Sequence, residues 1–291
     1  MPPSYVTRFA PSPTGYLHLG HAYSALLNFD IAQKSGGSFR LRIEDIDQTR
    51  CQPAFEASIG RDLLWLGLEP QGGVLRQSER MAIYQDALDK LASRDLLYRC
   101  FKTRAERQAA MTAPHDGTNS RSALHSATAP LAPREEAALL AEGRSFAWRL
   151  HAKRASEALG RTVLVWREAR RDGGEVQHPI DLSCLNDEVL ARKDVPTSYH
   201  LASVVDDADQ GVTLVYRGED LKDAIPIHRV LQELLGLPAP LYRHHRLITD
   251  SSGRRLAKRD KAETLGALRE NGATPEDIRR RLGLLPTDGK A

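Results

Sequence analysis

The sequence lacks the features of membrane, secreted and disulfide-stabilised proteins. Its 291 residues include only three cysteines, and Cys51, Cys100 and Cys184 stand far apart with no CxxC pair. An odd number of scattered cysteines argues against a disulfide framework and favours a reducing compartment. No stretch approaches about 18 consecutive apolar residues, and residues 1–9 lack the basic and apolar parts of a secretory signal. We therefore expect a soluble, cytoplasmic chain without a membrane partner.

The chain as a whole also carries little net charge. The net charge is +3, from 41 Lys and Arg against 38 Asp and Glu. The basic residues are nevertheless concentrated in residues 242–291, which contain 12 Lys and Arg against 7 Asp and Glu. This concentration is equally compatible with a polyanionic partner and with a solvated basic face.

What the sequence does contain is an alternation of strand and helix patterns. Short apolar or alternating runs predict strands over residues 6–9 and 38–44, the second with one face wetted or lining a cleft. Apolar residues at helical spacing predict helices over residues 20–34, 53–66 and 79–97. This order is typical of a parallel α/β sheet. Further strands are predicted at 145–150, 162–166, 188–191, 198–205 and 212–216, and further helices at 225–235 and 274–284.

A loop rich in proline and glycine connects the first predicted strand to the first predicted helix. Free N–H groups at a helix N-terminus suit a phosphate, and Gly20 would let a nucleotide approach the backbone. Two histidines three residues apart, His18 and His21, are by themselves more typical of a metal site or a packed core. The whole segment reads Arg8-Phe9-Ala10-Pro11-Ser12-Pro13-Thr14-Gly15-Tyr16-Leu17-His18-Leu19-Gly20-His21.

A second segment, near the C-terminus, is cationic and flanked by loop-forming residues. Such a loop could close on a triphosphate and neutralise its charge. In isolation, an ordinary basic surface loop is the commoner explanation. The segment reads Gly253-Arg254-Arg255-Leu256-Ala257-Lys258-Arg259-Asp260-Lys261.

Taken together, the two segments resemble the signatures of the class I aminoacyl-tRNA synthetases. Residues 18–21 are similar to the HIGH signature, and residues 255–259 resemble a variant of KMSKS in which Arg255 and Ala257 are departures. The resemblance implies an α/β, Rossmann-like catalytic domain with an inserted acceptor-type subdomain and a short C-terminal helical element. Similarity to the glutamyl branch lies in residues 8–15, 42–45, 62–68, 199–202 and 217–221.

This resemblance implies a site for L-glutamate beside a site for ATP with Mg²⁺. Arginine binds carboxylates with a fork of donors, so Arg8 and Arg217 are the expected partners of the two substrate carboxylates. Glu44 would face the ammonium group, and Tyr199 offers a hydroxyl to either end. The implied glutamate-binding residues are Arg8, Phe9, Ala10, Pro11, Ser12, Glu44, Tyr199 and Arg217. The implied catalytic residues are His18, His21 and Lys258, which with Gly20 would also bind ATP.

The length of the chain after Lys258 favours one group within this branch. Only 33 residues follow Lys258, too few for a separate anticodon-binding domain. This shortened architecture is similar to the glutamyl-queuosine tRNA(Asp) synthetases, which attach glutamate to queuosine in the anticodon loop. The implied partners are L-glutamate, ATP and queuosine-bearing tRNA(Asp), and we expect a monomer. The expected divisions are residues 1–98 and 187–240 for the two halves of the catalytic domain, 99–186 for the insertion, and 241–291 for the cationic loop and helical element.

Relatives in this branch carry a zinc site near the insertion, and the present sequence departs from it. Cys100 matches the first ligand position, but Lys102 stands at the second and residues 115–119 contain no cysteine. A tetrahedral zinc site needs about four ligands. We therefore predict that the chain holds no structural zinc.

Three other functions stay open at this point. The chain could be a truncated glutamyl-tRNA synthetase that charges a tRNA 3′ end, or a catalytically idle tRNA-binding module. It could also be a small-molecule nucleotidylyltransferase, which uses a similar helix start. His200 and His228 are expected to be packing or surface residues, the pair Asp206-Asp207 to cap a strand end, and His244 and His245 could touch ATP.

Overall fold

The computed structural model describes residues 4–102, 106, 129–170, 172–193, 195–249 and 263–285. The chain begins with a parallel unit in which β1 and β3 both pair with β2. The observed bounds lie within two residues of those predicted for the first two strands and the first two helices. The elements of this unit are β1 (Val6–Phe9), α1 (Leu19–Lys34), β2 (Ser38–Ile43), α2 (Pro53–Trp65) and β3 (Leu75–Arg76).

The remaining described elements form two further sheets and their covering helices. The strands are β4 (Leu97–Cys100), β5 (Ala147–Leu150), β6 (Val163–Ala169), β7 (Glu175–Asp181), β8 (Val189–Arg192), β9 (Leu214–Gly218) and β10 (Leu241–His245). The helices are α3 (Met81–Ala92), α4 (Pro133–Ala141), α5 (Ala152–Leu159), α6 (Tyr199–Asp209), α7 (Ile225–Leu235), α8 (Leu265–Glu270) and α9 (Pro275–Arg281).

Strand pairing crosses the divisions expected from the sequence. One sheet has the order β7-β6-β10-β9, in which β10 is parallel to both of its neighbours and β7 is antiparallel to β6. The hairpin β6–β7, which lies within residues 99–186, therefore extends the sheet that contains β9. An antiparallel sheet with the order β4-β5-β8 joins that range to the segment after residue 186. The division into domains stays a prediction.

Polar contacts join the first parallel sheet to the second at strands β1 and β9. Val6 N donates to Thr213 Oγ1 and Thr213 N donates to Val6 O, each at 2.9 Å. The buried residue Asn28, on α1, spans this junction: its Nδ2 donates to Tyr216 O at 2.8 Å, and its backbone carbonyl accepts from Thr7 Oγ1 at 2.9 Å. The carboxyl ends of β1 and β9 consequently lie side by side. Open α/β sheets bind ligands at such an edge.

Residues 199–209 form helix α6, and the strand predicted over residues 198–205 is wrong. Ser198 provides the N-cap of α6, because its side chain accepts a hydrogen bond from Leu201 N. The next residues, 201–205, are all buried, so they show no alternation between two faces. A continuous apolar run does not distinguish a buried strand from a buried helix, and the cap and the packing of α6 decide for the helix.

The third predicted helix is shorter than expected at both ends. Helix α3 stops at Ala92, and the chain turns through Asp95, whose φ is 53°, before Leu97 begins β4. Ala87, Leu88 and Leu91 at helical spacing are buried, whereas Ile83 is 38% exposed and Tyr84 is fully buried. Tyr84 donates from its hydroxyl to Asp206, so a buried polar contact selects this face.

The C-terminal helices pack onto the N-terminal half of the chain. Leu265 and Ile278 are fully buried in the cluster formed by α1, α2 and the first sheet. Arg279 makes a two-pronged ion pair with Asp30 on α1, with both contacts at 2.8 Å. These contacts hold the C-terminal element against α1. In the part of the chain that the structure describes, no helix has the length and apolar character needed to cross a membrane.

Candidate active site

A cleft of about 530 Å³ lies at the carboxyl ends of β1 and β9. The structure brings together all of the implied site residues that it describes, whereas Lys258 lies outside the described residues. The lining residues indicated by the sequence are Arg8, Phe9, Ala10, Pro11, Ser12, His18, Gly20, His21, Glu44, Tyr199, Arg217 and His245. The lining residues not indicated as ligands are Thr14, Ser24, Gly218, Asp220, Leu221, Arg246, Leu247 and Ile248.

The two histidines of the HIGH-like segment form the N-terminal cap of α1. His18 Nδ1 accepts from Gly20 N at 3.1 Å, and His21 Nδ1 accepts from His18 N at 3.2 Å. Because both Nδ1 atoms are acceptors, the neutral rings carry their hydrogen on Nε2. A Cβ atom on residue 20 would lie 3.0 Å from His18 Cε1, so only glycine leaves this ring undisturbed. The backbone N–H groups of His18 and Gly20 are thus used within the cap. The positive end of α1 and two imidazoles lie together at the cleft, a setting that favours a phosphate.

The side chain of Arg217 has one occupied and one unoccupied edge. Its Nη1 donates to the Tyr199 hydroxyl at 3.1 Å and lies 3.4 Å from Nδ1 of His228. Its Nε and Nη2 are buried and make no hydrogen bond to any residue in the described part of the chain. These two donors form one side of the guanidinium, which is the geometry for bidentate binding of a carboxylate. The occupied edge fixes Arg217, and the other edge suits a substrate carboxylate.

Two other residues that line the cleft, Arg8 and Glu44, are held by a buried ion network. Arg8 Nε donates to Asp207 Oδ1 at 3.0 Å, and Arg42 Nη1 donates to the same oxygen at 2.6 Å. Arg42 Nη2 donates to Glu44 Oε1 at 3.1 Å, and Glu44 N donates to Pro11 O at 3.0 Å. An arginine and a carboxylate thus face the cleft, the arginine held by Asp207 and the carboxylate by the fully buried Arg42.

Two members of that network correct the sequence interpretation. The alternating pattern predicts Arg42 on a face of its strand that is wetted or lines a cleft, but its side chain is 0% exposed and does not line the cleft. The sequence predicts that Asp206 and Asp207 cap a strand end, but both lie in α6. A signal was present, because two adjacent aspartates follow the largely apolar residues 201–205 and such buried charges need partners. Their partners are distant in sequence and could not be read from the local pattern.

Burial and the arginine charges shift the pKa values of these carboxyl groups in opposite directions. Burial raises the pKa of Glu44 above its usual value, although the charges of Arg42 and Arg8 act against this rise. Burial would also raise the pKa of Asp207, but Arg8 and Arg42 outweigh it and lower that pKa to about 2. Asp207 is therefore an anion at neutral pH, wedged between two cations.

His228 contacts Arg217, and His200 in turn contacts His228. His228 is buried, as expected for a packing residue, and its Nε2 lies 3.2 Å from Nδ1 of His200. Burial and then the charge of Arg217 lower the pKa of His228 well below its usual value. A neutral His228 can accept from Arg217 at Nδ1 and donate to His200 from Nε2.

The two other histidines of interest occupy different positions on β10. His245 lines the cleft, where it packs edge-on against Tyr23. His244 is the strand neighbour of Arg217 but does not line the cleft. Burial and the charge of Arg217 lower the pKa of His244 to about 4. His245 therefore occupies a position consistent with ATP contact, and His244 does not.

The described residues that flank the cationic segment contact the site on both sides. Before it, Ile248 lines the cleft. After it, Thr264 forms a bridge with His18, and Leu265 N donates to Leu17 O at 2.8 Å. Residues 250–262, which include Lys258, lie outside the described residues, and the role of Lys258 stays a prediction.

The residues near the expected zinc position are described only in part. Cys100 is buried at the end of β4, and residues 115–119 lie outside the described residues. Within the described ranges, no group of three or more His, Cys, Asp or Glu side chains is placed to hold a metal ion. The absence of zinc stays a prediction.

Comparison with known proteins connects this site to a family. A profile described as tRNA synthetases class I (E and Q), catalytic domain, matches residues 4–290. The chain belongs to this family. The class I fold expected from the sequence motifs is thereby confirmed, and ATP is the family's activating substrate.

Relatives within this family differ in how much of their length the chain covers. A glutamyl-Q tRNA(Asp) synthetase from Rhodobacter capsulatus is 45% identical over 96% of this chain and 100% of its own length. A glutamate–tRNA ligase 2 from Methylorubrum populi is 39% identical over 96% of this chain but only 59% of its own. The crystal structure of a glutamate tRNA ligase from Elizabethkingia meningosepticum, in complex with its amino acid, has a TM-score of 0.77 and 30% identity, covering 99% of this chain and 62% of that one. The chain thus spans about three fifths of these two ligases.

Proposed function

We propose that the chain activates L-glutamate with ATP and transfers the glutamyl group to queuosine in the anticodon loop of tRNA(Asp). The observation that carries the choice of amino acid is the unoccupied Nε and Nη2 edge of Arg217. Arg217 lines the same cleft as Arg8 and Glu44. Two cationic groups and one carboxylate match the two carboxylates and one ammonium of glutamate.

In this proposal the cleft binds glutamate by its charges at three points. One carboxylate takes the bidentate edge of Arg217, and the other pairs with Arg8. The ammonium pairs with Glu44, which Arg42 holds through its 3.1 Å contact. Tyr199, fixed by Arg217, adds a hydroxyl at the same wall. The loop between these groups is shaped by Phe9, Ala10, Pro11 and Ser12.

The activation step needs no side chain as a nucleophile. An oxygen of the glutamate α-carboxylate attacks the α-phosphorus of ATP, and the bond to pyrophosphate breaks. ATP would bind at the start of α1, against His18, Gly20 and His21. We propose that Lys258 also contacts the negatively charged phosphates of ATP. Mg²⁺ bound with the triphosphate would neutralise part of its negative charge. Positioning and charge neutralisation supply the rate enhancement.

The transfer step assigns the second substrate. A hydroxyl of the queuosine cyclopentene-diol attacks the carbonyl carbon of glutamyl-adenylate, the bond to AMP breaks, and an ester forms. The choice of queuosine is supported by the end-to-end match with the Rhodobacter capsulatus relative, because the ligases are matched over only three fifths of their length.

We also propose how the parts of the chain divide the work. We assign RNA contacts to the insertion within residues 99–186 and to the basic segment after residue 241, with residues 1–98 and 187–240 as the catalytic halves. We further propose a monomer that acts on cytoplasmic tRNA and uses no zinc.

Exchange of labelled pyrophosphate into ATP tests the activation half of the proposal. Glutamate-dependent exchange without tRNA is expected, and no exchange under any condition would favour an idle tRNA-binding module.

The position of labelled glutamate on tRNA tests the transfer half of the proposal. A label that stays on tRNA(Asp) after removal of its 3′ nucleotides supports transfer to the anticodon loop. A label lost with those nucleotides would instead identify a 3′-charging synthetase.

A further inference from the structure

Asp207 links Arg8 to the arginine that holds Glu44, without lining the cleft. Its Oδ1 accepts from Arg8 Nε at 3.0 Å and from Arg42 Nη1 at 2.6 Å. The side chain of Asp207 is only 7% exposed, and Asp207 is not among the residues that line the cleft. One carboxylate oxygen therefore fixes Arg8 and also the arginine that holds Glu44.

The neighbouring Asp206 points into a different network. It accepts from Gln77 Nε2 at 2.8 Å, from Arg80 Nε at 2.9 Å and from the Tyr84 hydroxyl at 2.9 Å. Its nearest approach to Arg42 is 4.0 Å, at Nε. The two adjacent carboxylates of α6 therefore have different roles. Asp206 ties α6 to the 3₁₀ turn and helix around residues 77–84, and Asp207 reaches the pocket.

We propose that Asp207 is a positioning residue for glutamate binding, which sets the orientations of Arg8 and, through Arg42, of Glu44. This inference rests on the proposed activation of glutamate. Arg8 uses its Nε on Asp207, so the Nη groups of its guanidinium are the donors that remain for a substrate carboxylate. Arg42 uses Nη1 on Asp207 and Nη2 on Glu44, so a rotation of either arginine would displace a charge that the substrate contacts.

The charges favour positioning over simple filling of the core. Asp207 is an anion with two cations against it, and the removal of one partner from a buried ion pair leaves an uncompensated charge. Without the Asp207 anion, Arg8 would compete for Glu44, which is a carboxylate that faces the same cleft. The pocket would then lose its separate sites for ammonium and carboxylate.

Steady-state exchange kinetics of Asp207→Asn test this inference, with Asp206→Asn as the matched control. Both substitutions remove one buried charge from adjacent positions of the same helix. For Asp207→Asn we expect the KM for glutamate to rise about 10- to 100-fold, as for a lost charge-assisted contact, with the KM for ATP within about threefold. For Asp206→Asn we expect a lower melting temperature and a KM for glutamate within about threefold of the parent.

A double-mutant cycle with Arg8→Lys keeps the test decisive if Asp207→Asn is poorly stable. Lysine keeps the charge of residue 8 but lacks the Nε that Asp207 holds. If Asp207 acts through Arg8, the effect of Asp207→Asn on the glutamate KM shrinks at least about threefold in the Arg8→Lys background. Equal effects in the two backgrounds, or a fall in melting temperature with an unchanged glutamate KM, would overturn the inference. Absence of exchange in the parent enzyme would instead contradict the proposed function.

Discussion

Nη1 of Arg217 lies 3.4 Å from Nδ1 of the buried His228. The contact places a neutral imidazole against the Nη1 side of an arginine that lines the cleft. Burial and the charge of Arg217 both disfavour the protonated ring, so the pKa of His228 is lowered well below its usual value. The geometry and the protonation state of His228 therefore depend on each other.

That dependence predicts a loss of stability at mildly acidic pH. The unfolded chain binds a proton at His228 near its ordinary pKa of about 6.5 and the folded chain does not, so this contribution is present above that pH and is lost as pH falls. Its slope approaches about 1.4 kcal/mol per pH unit below about pH 6. Denaturant unfolding between about pH 7 and pH 5 should therefore show a steeper decline for the parent than for His228→Gln. Parallel declines in the two proteins would contradict this assignment.

The bidentate edge of Arg217 predicts that lysine cannot replace this arginine. Lysine at this position would keep the charge but lose the paired donors, so we expect Arg217→Lys to raise the glutamate KM about 10- to 100-fold. Arg167→Lys is the matched control, because Arg167 is a half-exposed residue on β6 that pairs with Glu175. In pyrophosphate exchange, we expect the glutamate KM of this control to stay close to that of the parent. A glutamate KM for Arg217→Lys within about threefold of the parent would rule out the fork.

The close approach of Gly20 to His18 predicts a specific effect on nucleotide use. In Gly20→Ala the new Cβ would press on the His18 ring, whose atoms lie 3.0 and 3.1 Å away. We expect kcat/KM for ATP to fall about 10- to 100-fold through misplacement of that ring. Gly60→Ala is the control, since a Cβ there meets nothing within 4 Å and alanine stabilises the helix by about 1 kcal/mol. Unchanged ATP kinetics in Gly20→Ala would contradict a role for His18 in the use of ATP.

The cationic segment predicts a strong effect at Lys258. We expect Lys258→Ala to slow adenylate formation by about 10²–10³, as for a lost donor to developing charge. Lys153→Ala, at a side chain that is 81% exposed, is the control. Pyrophosphate exchange measures both variants. A rate for Lys258→Ala within a few-fold of the parent would refute the role assigned to this lysine.

The elements that the sequence predicts well are those whose signals are local. The loop after β1, the HIGH-like start of α1 and the helix α7 follow from prolines, glycines and apolar spacing within a few residues. The pocket residues Arg8, Glu44 and Arg217 could be named because short motifs carry them. Strand order then places them around one cleft.

The parts that escaped prediction depend on contacts between distant segments. Arg42 and Asp207 are 165 positions apart in the chain, and neither local pattern contains the other. The apolar run before Asp206 is compatible with a strand or a helix until its neighbours are placed. His228 reads as an ordinary core residue until Arg217 is seen against it. The site residues are therefore held in place by ion pairs between distant segments, and such pairs cannot be predicted from the periodicity of the sequence.

The most direct test of the account is transfer of labelled glutamate to two preparations of tRNA(Asp), one with queuosine and one with unmodified guanosine at the same position. Both reactions contain ATP and Mg²⁺. The account predicts acid-precipitable label on the queuosine-bearing tRNA and none above background on the other. Equal labelling of the two preparations would contradict it.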